Sequence, residues 1–122
     1  MQQRYNAIII GFGKGGKTLA AYLADQGQSV AIVERSDKMY GGTCINIACI
    51  PTKTLLHSSQ VYHDAKHGAH IGVHTEDISA NIEEIFAYKR EISQKLSSGI
   101  ESLFKTAKVD LLRGTALITA PG

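Results

Sequence analysis

Residues 5–10 form a short apolar run rich in isoleucine that stops at Gly11. Without polar alternation, such a run suits a strand buried on both faces. Over residues 17–26 the apolar positions Leu19, Ala20 and Leu23 recur at helical spacing, and Gly27 supplies a C-terminal stop. Residues 29–34, centred on Val30, Ile32 and Val33, read as a second strand. Strand, helix and strand within about 30 residues make a βαβ unit with parallel strands and a right-handed crossover. A polar loop over residues 35–42 then leads to the segment holding both cysteines and to a helical stretch over residues 51–66, with residues 67–74 as a connector. Residues 78–103 carry a long amphipathic pattern. Ile82, Ile85, Phe86, Ile92, Leu96, Ile100, Leu103 and Phe104 fall on one stripe, with Glu83, Glu84, Lys89, Arg90 and Lys95 opposite. That is a helix of about seven turns. Residues 109–112 and 116–119, around Arg113-Gly114-Thr115, read as two short strands. The pattern predicts an α/β fold with a parallel sheet and flanking helices. No repeat, low-complexity tract or linker divides residues 1–122, so they read as one domain. A doubly wound sheet usually has more strands than these, so a truncated piece of a longer protein is expected.

Composition narrows the functional classes. At 122 residues, 43% hydrophobic and 20% charged, the chain has the make-up of an ordinary globular domain. A net charge of +2 without a run of like charges gives no footprint for nucleic acid. No apolar stretch approaches the roughly 18 residues of a spanning helix, and the start runs directly into a strand pattern instead of a signal peptide. The expectation is a cytoplasmic protein with neither a membrane nor a nucleic-acid partner. In that reducing compartment two cysteines are poor candidates for a structural staple, which leaves metal, catalytic or redox roles to weigh against simple burial.

Gly11-Phe12-Gly13-Lys14-Gly15-Gly16 places Gly-x-Gly-x-x-Gly between the first strand and the first helix. Gly11 permits the tight turn, Gly13 lets backbone approach a pyrophosphate, and Gly16 allows close packing of helix on strand. The helix N-terminus meanwhile offers free N–H groups to the anion. Glu34, ending the second strand, is placed to accept hydrogen bonds from an adenosine ribose and repels a 2′-phosphate, which argues against NADP at this site. The context predicts a Rossmann-like dinucleotide site; the alternative is a purely structural glycine turn. Lys14, Gly15 and Arg35 join the candidate cofactor-binding set, whereas Lys17 reads as solvated.

The most specific stretch runs Gly41-Gly42-Thr43-Cys44-Ile45-Asn46-Ile47-Ala48-Cys49-Ile50-Pro51-Thr52-Lys53. Five positions apart on a regular helix, the two cysteine Cα atoms would lie on the order of 8–9 Å apart, whereas a disulfide wants less than about 7 Å. Either the cysteines do not pair, or the backbone between them leaves regular helix, and Pro51 marks a natural place for that departure. Two buried free thiols are the plain alternative. Zinc would need about four ligands, and the spacing is not Cys-x-x-Cys.

This stretch, preceded by the glycine turn and Glu34, resembles the class I pyridine nucleotide–disulfide oxidoreductases, the family of lipoamide dehydrogenase, glutathione reductase and mercuric reductase. Met39-Tyr40-Gly41-Gly42-Thr43-Cys44-Ile45-Asn46-Ile47 looks closest to the reactive-chlorine-resistance branch, associated with oxidative stress and copper(II) reduction. The resemblance implies an FAD-dependent NAD(P)H oxidoreductase acting on a disulfide, metal-ion or oxidant acceptor in cell redox homeostasis. Gly11, Gly13, Gly16 and Glu34 would hold the ADP part of FAD, Gly42 and Thr43 would lie near the pyrophosphate, and Thr115 and Ala116 would touch the adenine. Cys44 would be the interchange thiol, Cys49 the thiol facing the flavin, and Lys53 would sit by the flavin edge. The resemblance further implies that residues 1–122 are the N-terminal part of an FAD-binding domain, inactive alone. The NAD(P)H-binding and dimerisation domains of a homodimeric enzyme would lie outside this chain. One departure is visible: Ala48 stands where the family has glycine, and its methyl group is expected to crowd the bend or the flavin. The rival reading is an FAD- or NAD-binding module without disulfide chemistry.

His63, His67, His70 and His74 recur at steps of four, three and four. On one continuous helix they would share a face and suit a transition metal. Gly68 and Gly72 argue against that continuity, so exposed histidines at a helix end are the favoured reading and no metal site is expected.

Overall fold

The computed structural model describes residues 3–120. Its centre is a parallel three-stranded sheet of β1 (Ala7–Ile10), β2 (Val30–Glu34) and β3 (Asp110–Arg113), with β2 in the middle. Ile32 is in register with Ile9 on one side and Leu111 on the other. β2 is apolar along most of its length, and its Val30, Ala31 and Ile32 are buried. β1 differs from expectation. Ile8 and Ile10 are 58% and 63% exposed, so only its other face, with Ala7 and Ile9, meets the core. Among the described residues no layer covers the Ile8–Ile10 face.

The expected βαβ crossover is α1 (Lys14–Asp25), which buries Ala20 against the sheet. It starts at Lys14, not residue 17, because Gly15 and Gly16 belong to its first turn. Their weak helix propensity is outweighed by packing on β1. The chain then runs through a 3-10 turn (Asp37–Met39), α2 (Gly42–Asn46) and α3 (Cys49–His67), which packs along α4 (Ile82–Thr106). α4 begins later than the hydrophobic pattern suggested because Asn81 caps it, accepting from the amides of Glu83 (3.0 Å) and Glu84 (3.2 Å). Of its apolar stripe, Phe104 is buried, while Ile82 and Leu103 are each 62% exposed. The helix is longer than the layer that covers it. After β3 the chain stays irregular, and the strand expected over residues 116–119 is absent: Leu117 and Ile118 stand exposed with no neighbouring strand among the described residues. No described helix is long and apolar enough to cross a membrane.

The core gathers Phe12, Ala20, Val30, Ile32, Phe104 and Val109. Phe12 meets Tyr40 and Phe104 edge-on, at centroid distances of 5.3 and 5.1 Å. A residue of the glycine turn is thereby anchored to the end of α4 and to the approach to the cysteines.

Candidate functional site

The glycine turn divides its roles among its residues. Gly11 takes a φ of +94°, open to glycine at no steric cost, and its amide donates to Val33 O at 2.8 Å. Gly13 is the N-cap of α1 and supplies no side-chain cap, so the first-turn amides of α1 keep free donors. A methyl group built on Gly13 would meet no atom within 4 Å, so the backbone there faces open space. One built on Gly16 would lie 2.8 Å from Ile9 Cγ2 and 2.9 Å from Gly11 O. Helix α1 is thus seated on β1 through Gly16, while the backbone at Gly13 is left open.

Glu34 closes the other side. Its Oε2 accepts from the Phe12 amide at 3.0 Å and its Oε1 from the Ser36 amide at 3.1 Å. The carboxylate therefore pins the turn to the end of β2, and each oxygen retains a lone pair for a ribose hydroxyl. Beside it lies a cavity of about 380 Å³ whose lining includes Gly11, Glu34, Arg35, Thr115 and Ala116. An open backbone cradle, a carboxylate and this cavity fit the ADP part of a dinucleotide. A cavity of about 470 Å³ between α3 and α4 contains no predicted site residue.

The cysteine segment packs directly on the turn. Gly41 and Gly42 have φ of +88° and +75°, and a methyl group on Gly42 would stand 2.6 Å from Gly13 Cα. The cysteines lie on different helices, Cys44 within α2 and Cys49 at the start of α3. The break falls at Ile47 (φ −126°, ψ −45°) and Ala48 (φ −113°, ψ −81°), where the Ile47 and Ala48 amides both donate to Thr43 O, at 2.9 and 2.8 Å. Pro51, expected to mark the departure, sits inside the first turn of α3, where proline is tolerated. Ala48 has a negative φ and is exposed, so its methyl group does not crowd the bend. Asn46 fixes the hairpin by donating from Nδ2 to Tyr40 O and Gly42 O, both at 2.9 Å, and Ser97 of α4 donates to Tyr40 O at 2.9 Å.

Both cysteines are free thiols, Cys44 half-buried and Cys49 exposed. The neighbouring Cys49 side chain is the main reason the Cys44 thiol titrates above its ordinary range. Desolvation and the charge of Cys49 add to the rise, while Lys14 and Lys53 pull against it. Two adjoining thiols on a bent backbone can exchange between dithiol and disulfide, releasing two protons and two electrons as one S–S bond forms.

The description "pyridine nucleotide-disulphide oxidoreductase" matches residues 5–121. The chain belongs to that family. Members of the pyridine nucleotide-disulphide oxidoreductase family depend on FAD and use NAD(P)H. The chain is 40% identical to dihydrolipoyl dehydrogenase of Staphylococcus aureus over 91% of its own length and 23% of that protein's. It is 64% identical over half its length to the probable pyridine nucleotide-disulfide oxidoreductase RclA of Escherichia coli, covering 14% of that protein. Among solved structures, the Cu(II) complex of the HOCl-induced flavoprotein disulfide reductase RclA from Escherichia coli superposes with a TM-score of 0.78 at 37% identity, over 96% of this chain and 23% of that one. The chain therefore spans about a quarter of the length of the relatives it matches.

Of the predicted site residues, the structure gathers Gly11, Glu34, Arg35, Thr115 and Ala116 around one cavity. Gly13 and Gly42 meet between that cavity's turn and the cysteines. Thr43 is exposed in the first turn of α2, and Lys53 stands exposed one turn after Cys49. Lys14 and Gly15 are not brought to the cavity. They line the outer groove of α1 with Thr18 and Tyr22, and Lys14 acts instead on Cys44. Sequence reasoning missed Phe12 and Asn46. A large apolar residue inside a glycine turn, and an amide between the cysteines, were the available signals.

Proposed function

We propose that the protein is a flavoprotein disulfide reductase passing electrons from NAD(P)H through FAD to a Cys44–Cys49 disulfide. From there they pass to a disulfide, metal-ion or oxidant acceptor, in cell redox homeostasis. The observation that carries this reading is the contact between the two glycine segments: Gly42 against Gly13 sets the paired thiols beside an open dinucleotide cradle. FAD, when bound, supplies the two-electron chemistry and the acceptance of hydride. The chain's own residues bind, orient and tune. Gly11, Gly13, Gly16, Glu34 and Arg35 hold the ADP part, Gly42 and Thr43 lie near the pyrophosphate, and Thr115 and Ala116 line the adenine pocket. Cys44 is the interchange thiol, Cys49 the thiol nearer the flavin, and Lys53 a neighbouring cation.

On this reading residues 1–122 are the N-terminal part of an FAD-binding domain. The NAD(P)H-binding and dimerisation domains come from further sequence, and the whole enzyme is a cytoplasmic homodimer. The share of the relatives that the chain covers, 23% of dihydrolipoyl dehydrogenase, supports the reading as part of a longer enzyme. A metal-ion acceptor draws support from the Cu(II) complex of RclA. The test is anaerobic reduction of the full-length enzyme with NADH and with NADPH, followed by flavin absorbance. The two-electron-reduced parent should show a long-wavelength charge-transfer band that Cys49→Ser abolishes while FAD stays bound. Identical spectra for both proteins would leave an FAD-binding module without disulfide chemistry.

A further inference from the structure

Two of the histidines come together in a way the spacing argument did not favour. His63 and His67 lie one turn apart on the exposed face of α3, with imidazole centroids 4.3 Å apart and planes inclined by 30°. Hydrogen bonding selects the same nitrogen on both rings. His67 Nδ1 is 2.8 Å from the carbonyl oxygen of His63, which can only accept, so Nδ1 carries the hydrogen and Nε2 keeps its lone pair. His63 Nδ1 faces the Asp64 carboxylate at 3.5 Å, which favours the same tautomer. Gln60 steadies that carboxylate, donating to Asp64 Oδ1 at 2.6 Å. Metal-ligating imidazoles have this outer arrangement, with one nitrogen tied to a carbonyl or carboxylate and the other free. Lys66, between the two histidines in sequence, keeps its ammonium over the Tyr62 ring at 5.8 Å.

We propose that His63 and His67 form a two-imidazole chelate for a divalent transition-metal ion, with water completing the coordination shell. Spacing i, i+4 is how one helix face presents two imidazoles to a single ion. Two metal–nitrogen bonds of about 2.0–2.1 Å bridge nitrogens up to roughly 4 Å apart. Rotation of the two exposed rings therefore reaches one ion with the helix unmoved. Among the described residues no group of three His, Cys, Asp or Glu side chains gathers to hold a metal, so the chelate is open and labile. Ligand softness and the Irving–Williams order direct it to copper, nickel or zinc instead of magnesium or calcium. His70 is excluded. Its Nδ1 meets the carbonyl of His67 at 2.8 Å, but it lies past the end of α3 in the 3-10 turn Gly68–Ile71. The site is independent of the cysteine chemistry proposed above.

The test is calorimetric titration of the protein with NiCl2, run also on a Cys44→Ser/Cys49→Ser variant so that the thiols contribute nothing. One ion per chain should bind, and binding should persist in the serine variant. His63→Ala or His67→Ala should weaken it at least roughly tenfold, the lower end of what losing even an outer-shell partner costs a metal site. His70→Ala should leave it unchanged. Both ligand positions are exposed, and circular dichroism of each alanine variant checks that α3 is intact. Undiminished binding in His67→Ala, loss of the ion with the two cysteines, or no uptake by the parent protein would each overturn the proposal.

Discussion

Replacing Gly42 by alanine strikes the contact on which the site is built. Gly42 is buried with φ +75°, and the new methyl group would stand 2.6 Å from Gly13 Cα, with Gly13 N and Phe12 O each at 3.5 Å. These are backbone atoms and cannot swing aside as a flexible side chain would. A left-handed conformation costs an alanine about 1–2 kcal/mol, and an extra methyl group in a closed contact typically costs about 1–3 kcal/mol more. The destabilisation should therefore be about 2–5 kcal/mol, a large share of the roughly 5–15 kcal/mol that holds a typical domain folded. Urea unfolding followed by circular dichroism reads it as a lower midpoint at unchanged slope. Gly13→Ala is the matched control. Its φ is −82° and its methyl group meets nothing within 4 Å, so stability should fall by no more than the few tenths to about 1 kcal/mol of a poorer N-cap. Flavin retention should nevertheless be lost, because that methyl group fills the cradle. A Gly42→Ala protein within about 0.5 kcal/mol of the parent, the range of an ordinary surface change, would refute the contact.

Glu34→Gln sets an amide NH2 against one of the two backbone donors, Phe12 or Ser36. It should cost about 1.5–3 kcal/mol, the worth of a hydrogen bond to a charged group, with earlier flavin release on heating; unchanged stability would contradict the pinning role. Asn46→Ala strips a donor from two carbonyls, Tyr40 and Gly42, and should lower stability by about 1–3 kcal/mol in urea unfolding. The pH dependence of iodoacetamide alkylation at Cys44 carries a sign. The thiolate is the nucleophile, so a thiol with a raised pKa reacts only at higher pH. Cys49→Ala removes the largest raising cause and should move the inflection down, whereas Lys14→Gln or Lys53→Gln removes a lowering cause and should move it up. A downward move in Lys53→Gln would contradict the assignment.

The parts of the molecule legible in the sequence are those in which a local pattern and a long-range demand coincide. β2 reads as a buried strand, and Val30, Ala31 and Ile32 are all buried. Gly11 and Gly16 are legible because a tight turn and a close helix–strand contact each require glycine, and the structure has Gly11 at φ +94° and Gly16 against Ile9. The misreadings fall where packing overrides local preference. The apolar spacing marks helix only from residue 17, yet α1 begins at Lys14 and takes in Gly15 and Gly16 because Gly16 rests on Ile9. The bend was placed at Pro51 by its missing N–H, but a proline in the first helical turn gives up little. The departure sits instead at Ile47–Ala48, where the Asn46 bonds to Tyr40 and Gly42 close the hairpin. The place of Lys14 in the motif does not reveal its second neighbour. No periodicity could show that the cysteine segment folds back close enough for Lys14 to act on Cys44.

Reversible pairing of the two thiols is tested most directly by mild oxidation of the protein, with alkylation before and after a reductant and peptide mapping by mass spectrometry. The account predicts that reduction recovers two reactive thiols, and that the oxidised sample yields a single cross-linked peptide joining Cys44 to Cys49. Two thiols that label equally before and after reduction, with no such peptide, would contradict it.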